Sequence, residues 1–378
     1  MKNLAGQALS VAGLAAHLGH GVRRVTTDAV VGGRLGLPRT VEDIDAGVLS
    51  KVLGTTVRSV RVLDRDAGTS SRARLVLTGK EVPESVFVKV AAKTAATRLM
   101  GELGRLGQTE VRFYNQLAPQ LNGLPYAYGA AFDTWTGRYL LVLEDLPAES
   151  CEFPDTLHPI SPDQASLVIE LLADLHAVFW DRLPRDGRGP LGWLYTPSGD
   201  VTSLLTGSLM HASMKRLAER SPFPVDNGRF IADNYRAVAA LIDTPPHTVM
   251  HGDAHPGNMY FHGGKAGLLD WQAVRRGHPS RELAYTLITS LTPEDRRATQ
   301  RDLLDDYRRA LAAAGGPDLD REDLWLRYRQ SALYGYVAPL ITAGMGGMQV
   351  EGIAMEGLRR GVAALDDLET VAALKGSL

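Results

Sequence analysis

Two aspartates and one asparagine lie in a short segment of the chain and could take part in phosphoryl transfer. Residues 251–258 read H-G-D-A-H-P-G-N, and residues 268–271 read L-L-D-W. Asn258 follows Asp253 by five residues, and Asp270 follows Asn258 by twelve. Phosphoryl transfer needs a carboxylate that orients the attacking hydroxyl and oxygen ligands that hold magnesium near the phosphates. The segment supplies both kinds of group.

The histidines of the same segment allow a second interpretation. His251, Asp253 and His255 form a His-x-Asp-x-His pattern that could bind zinc, with Asp270 as a further ligand. The chain would then be a metal-dependent hydrolase. This hypothesis leaves Asn258 without a role, and it does not explain the strands, one of them with a lysine, that precede the segment.

Strand patterns come first along the chain. Residues 57–62 and 72–77 have the pattern of strands on either side of a Gly/Ser-rich turn at 68–71. A third strand is predicted at 86–90, and it contains Lys89. Because Lys89 lies between two valines, its side chain is expected on the opposite face of the strand from theirs.

Helical patterns dominate after an apolar strand at 139–143, which ends before Pro147 because proline cannot continue a central strand. Ser161 is a capping serine ahead of a helix that reaches Trp180. Thr40 is a similar cap for the first of six other predicted helices, at 41–53, 107–117, 226–242, 293–314, 320–342 and 351–372. Strands first and helices afterwards indicate an α+β protein.

The interval from Asp253 to Asn258 equals that of the protein-kinase catalytic loop, H-R-D-x-x-x-x-N, with Gly252 in place of the arginine. The sequence resembles the aminoglycoside phosphotransferase superfamily, whose pattern is H-G-D-x-x-x-x-N followed by a hydrophobic residue, Asp and Trp. Within it, the chain is most similar to the choline-kinase-like and ecdysteroid-kinase-like branch, because residues 172–177 read L-A-D-L-H-A. The resemblance covers roughly residues 45–345.

The resemblance implies a protein-kinase-like α+β fold with two lobes. A mostly antiparallel sheet with one main helix would form the N-terminal, nucleotide-binding lobe at residues 46–146. A mainly helical C-terminal lobe, with the catalytic loop and the substrate site, would span residues 147–378. Residues 1–45 would be a helical extension.

The resemblance also implies roles for individual residues. Asp253 would be the catalytic base or hydroxyl-orienting residue, and Asn258 and Asp270 would hold Mg²⁺. Lys89 would contact the α- and β-phosphates of ATP or GTP and pair with Glu110. A loop over the phosphates would contribute further nucleotide contacts from Gly68, Thr69, Ser70 and Ser71. A hinge that faces adenine would include Glu144 and Leu146.

Four other residues have expected supporting roles or are alternatives to the residues above. His251 would brace the catalytic loop, and Glu102 is the alternative partner of Lys89. His176, on the apolar face of a helix, is expected to be a hydrogen-bonded core residue rather than a ligand. Glu282 stands where the family often has aspartate, a departure that keeps the charge but lengthens the side chain, so the family pattern does not predict local support of the loop at this position.

The resemblance predicts a phosphotransferase with an alcohol group as acceptor. It would transfer the γ-phosphate of Mg-ATP or Mg-GTP to a hydroxyl of a small metabolite or antibiotic-like compound. A third hypothesis is a non-catalytic nucleotide-binding protein on a kinase fold. Such a protein normally lacks one of four residues, and this chain has all of them: Lys89, Asp253, Asn258 and Asp270.

Composition limits the partners and the compartment. The net charge of −2 excludes a strongly basic nucleic-acid binder. No apolar run reaches the roughly 20 residues of a membrane span, so stable membrane insertion is not expected. The single cysteine, Cys151, fits a reducing cytoplasm. Residues 151–378 contain 29 acidic and 23 basic side chains, an excess that leans towards a cationic acceptor.

Overall fold

The computed structural model describes residues 2–33, 36–184, 188–220, 226–346 and 349–378. The chain forms two compact units. The first unit comprises Met1–Cys151 together with Asp270–Ala273, and the second comprises Glu152–Leu269 together with Val274–Leu378. The lobe limits predicted from the sequence, at 45 and 146, stay a prediction. By its contacts, the N-terminal segment belongs to the same unit as the first sheet.

The first unit contains a five-stranded antiparallel sheet. Its strands are β1 (Val57–Ala67), β2 (Ser70–Gly79), β3 (Ser85–Ala91), β4 (Ala127–Phe132) and β5 (Tyr139–Glu144), in the order β1-β2-β3-β5-β4. The central strand, β3, pairs Lys89 with Arg72 on one side and with Leu141 on the other. The sheet therefore places Lys89 in its interior, away from either edge.

One face of this sheet is covered by a small apolar core. Val86, Val88 and Val90 of β3 are fully buried there, with Leu49 of α2 (Ala46–Leu53) packed in the same cluster. Asp45 caps α2, because its Oδ1 accepts the Val48 N–H at 2.8 Å. The predicted cap was wrong: Thr40 precedes only a short 3₁₀ turn that ends before α2 begins.

Three further helices belong to the first unit: α1 (Lys2–Val30), α3 (Ala95–Leu103) and α4 (Leu106–Gln116). Asp28 of α1 is buried and accepts hydrogen bonds from the guanidinium groups of Arg98 and Arg138. Glu102 pairs with Arg24 of α1, with Oε2 2.8 Å from Nη1. These buried ion pairs attach α1 to α3 and to the turn between β4 and β5.

The second unit is mainly helical. Its helices are α5 (Pro162–Phe179), α6 (Ser203–Ala218), α7 (Asp226–Ile242), α8 (Pro279–Ser290), α9 (Pro293–Ala313), α10 (Arg321–Ser331), α11 (Leu333–Met345), α12 (Glu351–Asp367) and α13 (Thr370–Lys375). Two short hairpins complete it, β6 (Thr248–Met250) with β9 (Arg275–Gly277) and β7 (Met259–His262) with β8 (Lys265–Leu268). The predicted α+β fold, with an antiparallel sheet followed by helices, is confirmed.

Helix packing in the second unit depends on close approach at small residues. A Cβ at Gly361 of α12 would lie 2.5 Å from the carbonyl oxygen of Gly335 of α11. Ser161 caps α5 as expected, because its Oγ accepts the Gln164 N–H at 3.2 Å. The predicted helix at 320–342 is instead two helices, since the helical conformation is interrupted at Ala332.

Several elements lack a strong sequence pattern and were not predicted. These are β4 and the helices α3, α6 and α8. Within the described ranges, no helix is long and apolar enough to cross a membrane.

Candidate active site

In the first unit, Lys89 lies between two carboxylates. Its Nζ donates to Glu110 Oε1 and to Asp270 Oδ1, each at 2.9 Å. The side chains of Lys89 and Glu110 are 3% and 1% exposed, and that of Asp270 is 19% exposed. The structure therefore brings together three residues that the sequence separates by up to 181 positions. Glu102, the alternative partner, pairs with Arg24 instead.

Burial and charge act in opposite directions on this triad. Burial lowers the pKa of Lys89, but the carboxylates of Asp270 and Glu110 outweigh it and raise the pKa above its ordinary value. Lys89 is therefore a cation at neutral pH. Burial raises the pKa of Glu110, although Lys89 opposes that shift. The ammonium group is therefore held between the carboxyl groups of Glu110 and Asp270.

Local packing fixes the positions of the two carboxylates. Glu110 is on the buried face of α4, and the Phe113 ring, one turn further on, stacks on Trp271 at 4.0 Å with the planes 5° apart. Trp271 is adjacent to Asp270, so this stacking anchors the segment that holds Asp270. The backbone of Asp270 has φ = +60°, the left-handed conformation that few non-glycine residues adopt and in which aspartate is enriched.

The turn between β1 and β2 is shorter than predicted. Only Gly68 and Thr69 lie outside the strands, and the Gly68 N–H donates to the Ser70 carbonyl at 2.9 Å. Ser70 and Ser71 are already paired with β3 and are each 3% exposed. The predicted four-residue turn was therefore wrong in length, because β2 begins two residues earlier than expected, and the phosphate-facing role of the segment stays a prediction.

The predicted adenine-facing residues begin at Glu144, the last residue of β5, and continue beyond the strand. The Glu144 backbone N–H donates to the Tyr126 carbonyl at 2.7 Å, and the Glu144 carboxylate accepts the Tyr126 N–H at 3.1 Å. The Glu144 N–H is thus already bonded within the protein and is not offered to a base. Asp145 accepts Arg74 Nε at 2.8 Å, and Leu146 is half-buried just beyond the sheet.

In the second unit, Asp253 is held by neutral donors. The Tyr285 hydroxyl donates to Asp253 Oδ1 at 2.7 Å. Asn258 Nδ2 donates to the Asp253 carbonyl at 2.9 Å and lies 3.4 Å from Oδ2. His255 Nε2 is 3.8 Å from Oδ2, and the Asp253 side chain is 32% exposed. The carboxylate is therefore fixed in orientation and still open to a ligand.

A buried glutamate supports the loop that precedes Asp253. Glu282 Oε2 accepts the His251 N–H at 3.0 Å, and Oε1 accepts the Gly252 N–H at 2.6 Å. Gly252 has φ = +85°, a conformation that favours glycine and explains its presence in the motif. The longer side chain of Glu282 thus reaches two consecutive backbone N–H groups and supports the loop.

Glu282 is in turn held by His176. His176 Nε2 is 3.0 Å from Glu282 Oε2, and its Nδ1 is 2.8 Å from the Tyr307 hydroxyl. Burial opposes the charge of Glu282, but the hydrogen bond and charge of His176 prevail and lower its pKa. His176 is fully buried with both ring nitrogens hydrogen-bonded, so it is a core residue, as expected.

The geometry contradicts the zinc hypothesis. His251 Nε2 is 2.8 Å from the Leu269 carbonyl, and its Nδ1 accepts the Asp253 N–H at 3.2 Å. Both ring nitrogens therefore already have partners in the protein, and neither is available as a ligand. Across the residues that the structure describes, no group of three or more His, Cys, Asp or Glu side chains could hold a metal ion.

A cavity of about 140 Å³ opens beside Asp253. Its walls come from the loop around Thr156 and from α8, α11 and α12, which belong to the second unit. Tyr285 lines it together with Asp253 and was not predicted as a site residue. Its position three residues after Glu282 places both on one side of α8, and this was the only signal in the sequence.

A model of the phosphotransferase enzyme family, APH, matches residues 62–325, which include Lys89, the catalytic-loop motif and Asp270. The chain belongs to this family. The match covers the sheet from β1 onwards and the helices as far as α10. The residues of α11 and α12 that line the cavity lie beyond it.

Solved structures show the same fold. A Ralstonia eutropha protein assigned as an aminoglycoside phosphotransferase has a TM-score of 0.53 at 14% identity, over 88% of this chain and 98% of that one. Choline kinase from Cryptosporidium parvum has a TM-score of 0.52 at 9% identity, over 84% and 91%. A choline/ethanolamine kinase family protein from Mesorhizobium loti has 0.50 at 12%, over 84% and 92%.

No curated protein matches the phosphotransferase described here in sequence. At identities of 9–14%, the structural matches establish the fold and not the acceptor.

Proposed function

We propose that this phosphotransferase transfers the γ-phosphate of a magnesium-bound nucleotide, ATP or GTP, to a hydroxyl group of a small molecule. The observation that supports it most strongly is the position of Asp253. Its carboxylate accepts a hydrogen bond from a tyrosine hydroxyl, its backbone carbonyl accepts one from an asparagine amide, and it lines a cavity large enough to admit an alcohol.

Asp253 is assigned the role of orienting the acceptor hydroxyl and accepting its proton. The hydrogen bond from Tyr285 fixes Oδ1, so the other oxygen, Oδ2, is the one assigned to the acceptor. Because phosphoryl transfer passes through a loose transition state, correct placement of the attacking oxygen provides most of what a carboxylate can contribute.

The first unit is assigned the nucleotide. Lys89 would contact the α- and β-phosphates, with Glu110 keeping the ammonium group in place. The backbone of the turn at Gly68 and Thr69 would face the phosphates, and the strand residues Ser70 and Ser71 would support it. Beyond β5, adenine would contact Leu146 and the carbonyl of Glu144, whose N–H is already bonded.

Asn258 and Asp270 are assigned to magnesium, and their donor atoms fit that ion. The Asn258 amide nitrogen is bonded to the Asp253 carbonyl, which leaves the amide oxygen as its ligand atom. Asp270 supplies a carboxylate, and magnesium is commonly held by one or two such oxygen ligands together with water and substrate phosphates. When bound, the ion would reduce the negative charge of the phosphates. The single cysteine supports a reducing, cytoplasmic compartment for this reaction.

The experiment is a screen of hydroxylated compounds for nucleotide-dependent ADP or GDP release, with phosphorylated product detected directly by mass spectrometry. The Asp253→Asn variant serves as the blank, because it keeps the size of the side chain and removes its negative charge. We expect at least one compound to be phosphorylated by the wild type and not by the variant. Product formation at equal rates by both proteins would refute the role of Asp253.

The non-catalytic hypothesis predicts a different outcome of the same screen. It requires nucleotide binding, measured as a thermal shift with Mg-ATP, without product from any compound.

A further inference from the structure

The cavity beside Asp253 is uncharged over most of its wall. Apart from Asp253, its polar groups are four hydroxyls, one amide and one imidazole ring, from Thr156, Thr289, Thr342, Tyr285, Gln349 and His255. Its apolar part is formed by residues of α11 and α12, namely Ala338, Pro339, Ile353, Ala354 and Gly357. Of the described residues that line it, only Asp253 has a carboxylate, and none is a lysine or an arginine.

A second carboxylate on α12, that of Glu356, is already neutralised. Arg359 Nε donates to Glu356 Oε2 and Arg359 Nη2 donates to Oε1, each at 2.8 Å, and Arg360 Nε also donates to Oε1 at 2.8 Å. The hydrogen bond from Arg359 and the positive charges of both arginines lower the pKa of Glu356. This anion is therefore used by the protein and is not presented to a cationic ligand.

Arg360 positions two of the hydroxyl-bearing segments. Its guanidinium is 3% exposed and donates to the Thr289 carbonyl at 2.7 Å and to the Thr156 carbonyl at 2.6 Å. Its charge is balanced by Glu356, so it contributes structure to the wall without making the wall positive. Thr289 Oγ1 donates to the Tyr285 carbonyl at 2.8 Å, which leaves its lone pairs to accept a hydrogen bond from a ligand.

Asp253 is poorly suited to hold a cation in addition to the hydroxyl. One oxygen already accepts from Tyr285, and the other lies near Asn258 and His255. The carboxylate therefore already has protein partners on both of its oxygens before the acceptor hydroxyl is added.

Recognition of a cationic alcohol requires groups that this wall lacks. An ammonium ion removed from water needs a carboxylate partner or several aromatic faces. Tyr285 is the one aromatic side chain in the described lining apart from the His255 ring, and its hydroxyl is bound to Asp253. One tyrosine does not form an aromatic cage.

We propose that the acceptor is an uncharged alcohol with a compact hydroxyl-bearing end, whose apolar part lies against α11 and α12. The assignment rests on the proposed function, because it takes Asp253 as the residue that orients the hydroxyl. The cavity volume of about 140 Å³ is below the range of roughly 300–1,000 Å³ that encloses drug-sized ligands. Only the reacting end of a larger acceptor would therefore be enclosed.

The test compares alcohols that differ only in charge. Choline is paired with its carbon isostere, 3,3-dimethylbutanol, and piperidinylmethanol is paired with cyclohexylmethanol. Phosphate transfer to each is measured with the full-length protein and Mg-ATP, and Asp253→Asn serves as the blank. Binding is measured separately by ligand-observed NMR. We expect kcat/KM for the uncharged member of each pair to exceed that of the cationic member about tenfold or more.

The outcomes separate the acceptor class from the reaction. A preference for the cationic members would overturn the inference and leave the phosphotransferase proposal intact. Binding of the uncharged members without any phosphate transfer would support the acceptor class and contradict the proposed function. Failure of every uncharged member to bind would overturn the inference.

Substitution of the wall provides an independent check. Thr342→Asp places a carboxylate in the cavity, and Thr342→Asn is the matched uncharged control. We expect the aspartate variant to shift selectivity about tenfold towards the cationic members, and the asparagine variant to leave it unchanged. Gln349→Glu, at an exposed lining position, makes the same test if the first variant does not fold. No shift in a folded carboxylate variant would contradict the inference.

Discussion

The candidate site has two parts, called half-sites below: the residues around Lys89 in the first unit and those around Asp253 in the second. The two half-sites hold these two side chains in opposite ways. In the first unit, Lys89 is buried between the carboxylates of Glu110 and Asp270. In the second unit, Asp253 is held by the hydroxyl of Tyr285 and the amide of Asn258 and stays partly exposed. Opposite charges keep the cation fully ionised, whereas neutral donors orient the carboxylate without neutralising it. We infer that the surroundings of Lys89 suit a permanently charged residue that binds phosphate. The surroundings of Asp253 suit a carboxylate that must still accept a proton.

The largest effect is expected from removing the charged residue of the first unit. Lys89→Met should reduce phosphate transfer about 10³-fold and weaken nucleotide binding, because the cation that faces the phosphates is lost. It should also destabilise the fold by about 3–5 kcal/mol, since Glu110 is then buried without a partner. Steady-state kinetics and urea unfolding measure the two effects. Lys93→Met is the control, because Lys93 is an exposed lysine on the same segment. Equal losses in both variants would contradict the assignment.

A smaller effect is expected from weakening the loop of the second unit. Glu282→Gln keeps the side-chain size but offers an N–H₂ group to one of two backbone N–H donors, so the loop loses a hydrogen bond. We expect kcat to fall about a hundredfold while the nucleotide KM changes little. Glu294→Gln, an exposed glutamate at the start of α9, is the control and should behave as wild type. A large rise in nucleotide KM for Glu282→Gln would contradict the assignment of nucleotide binding to the first unit alone.

Removal of the hydroxyl that holds Asp253 should have a still smaller effect. Burial raises the pKa of Tyr285 well above its ordinary value, so its hydroxyl stays a donor throughout the neutral range. Tyr285→Phe should lower kcat about tenfold at unchanged nucleotide KM. Tyr334→Phe removes a buried hydroxyl without a hydrogen-bond partner among the described residues, and its kcat should not change. If the two variants were equally affected, Asp253 would not depend on Tyr285.

The smallest effect is a dependence of stability on pH. The folded pKa of Glu282 lies below the ordinary value of 4.5, so the unfolded state binds more protons in acid. This contribution is complete above about pH 4.5 and is lost as pH falls through the folded pKa. The difference in unfolding free energy between wild type and Glu282→Gln should therefore shrink in acid. A constant difference across this range would show that the charge of Glu282 is not stabilising.

The predictions from sequence succeeded where a residue type was tied to a fixed spacing. Asp253 and Asn258 lie on one loop, and Lys89 was located by its place within an apolar strand. The structure places Lys89 against Glu110 and Asp270, which no local pattern could establish. Their functional roles stay proposals until turnover is measured.

Predictions failed where the outcome depended on tertiary contacts. The turn between β1 and β2 was predicted two residues too long, because Ser70 and Ser71 have turn-like composition but pair with β3. The excess of acidic residues favoured a cationic acceptor, and this stays a prediction, because a count does not show which carboxylates are paired. Glu356 of α12, for example, is bound by two arginines.

The most direct test of the division between the half-sites is nucleotide affinity in the Asp253→Asn variant. Calorimetry with Mg-ATP should give a Kd within about threefold of wild type, while phosphate transfer to a screened acceptor falls about 10³-fold. This result would show that the second unit orients the acceptor and that the first binds the nucleotide. A loss of affinity as large as the loss of turnover would contradict it.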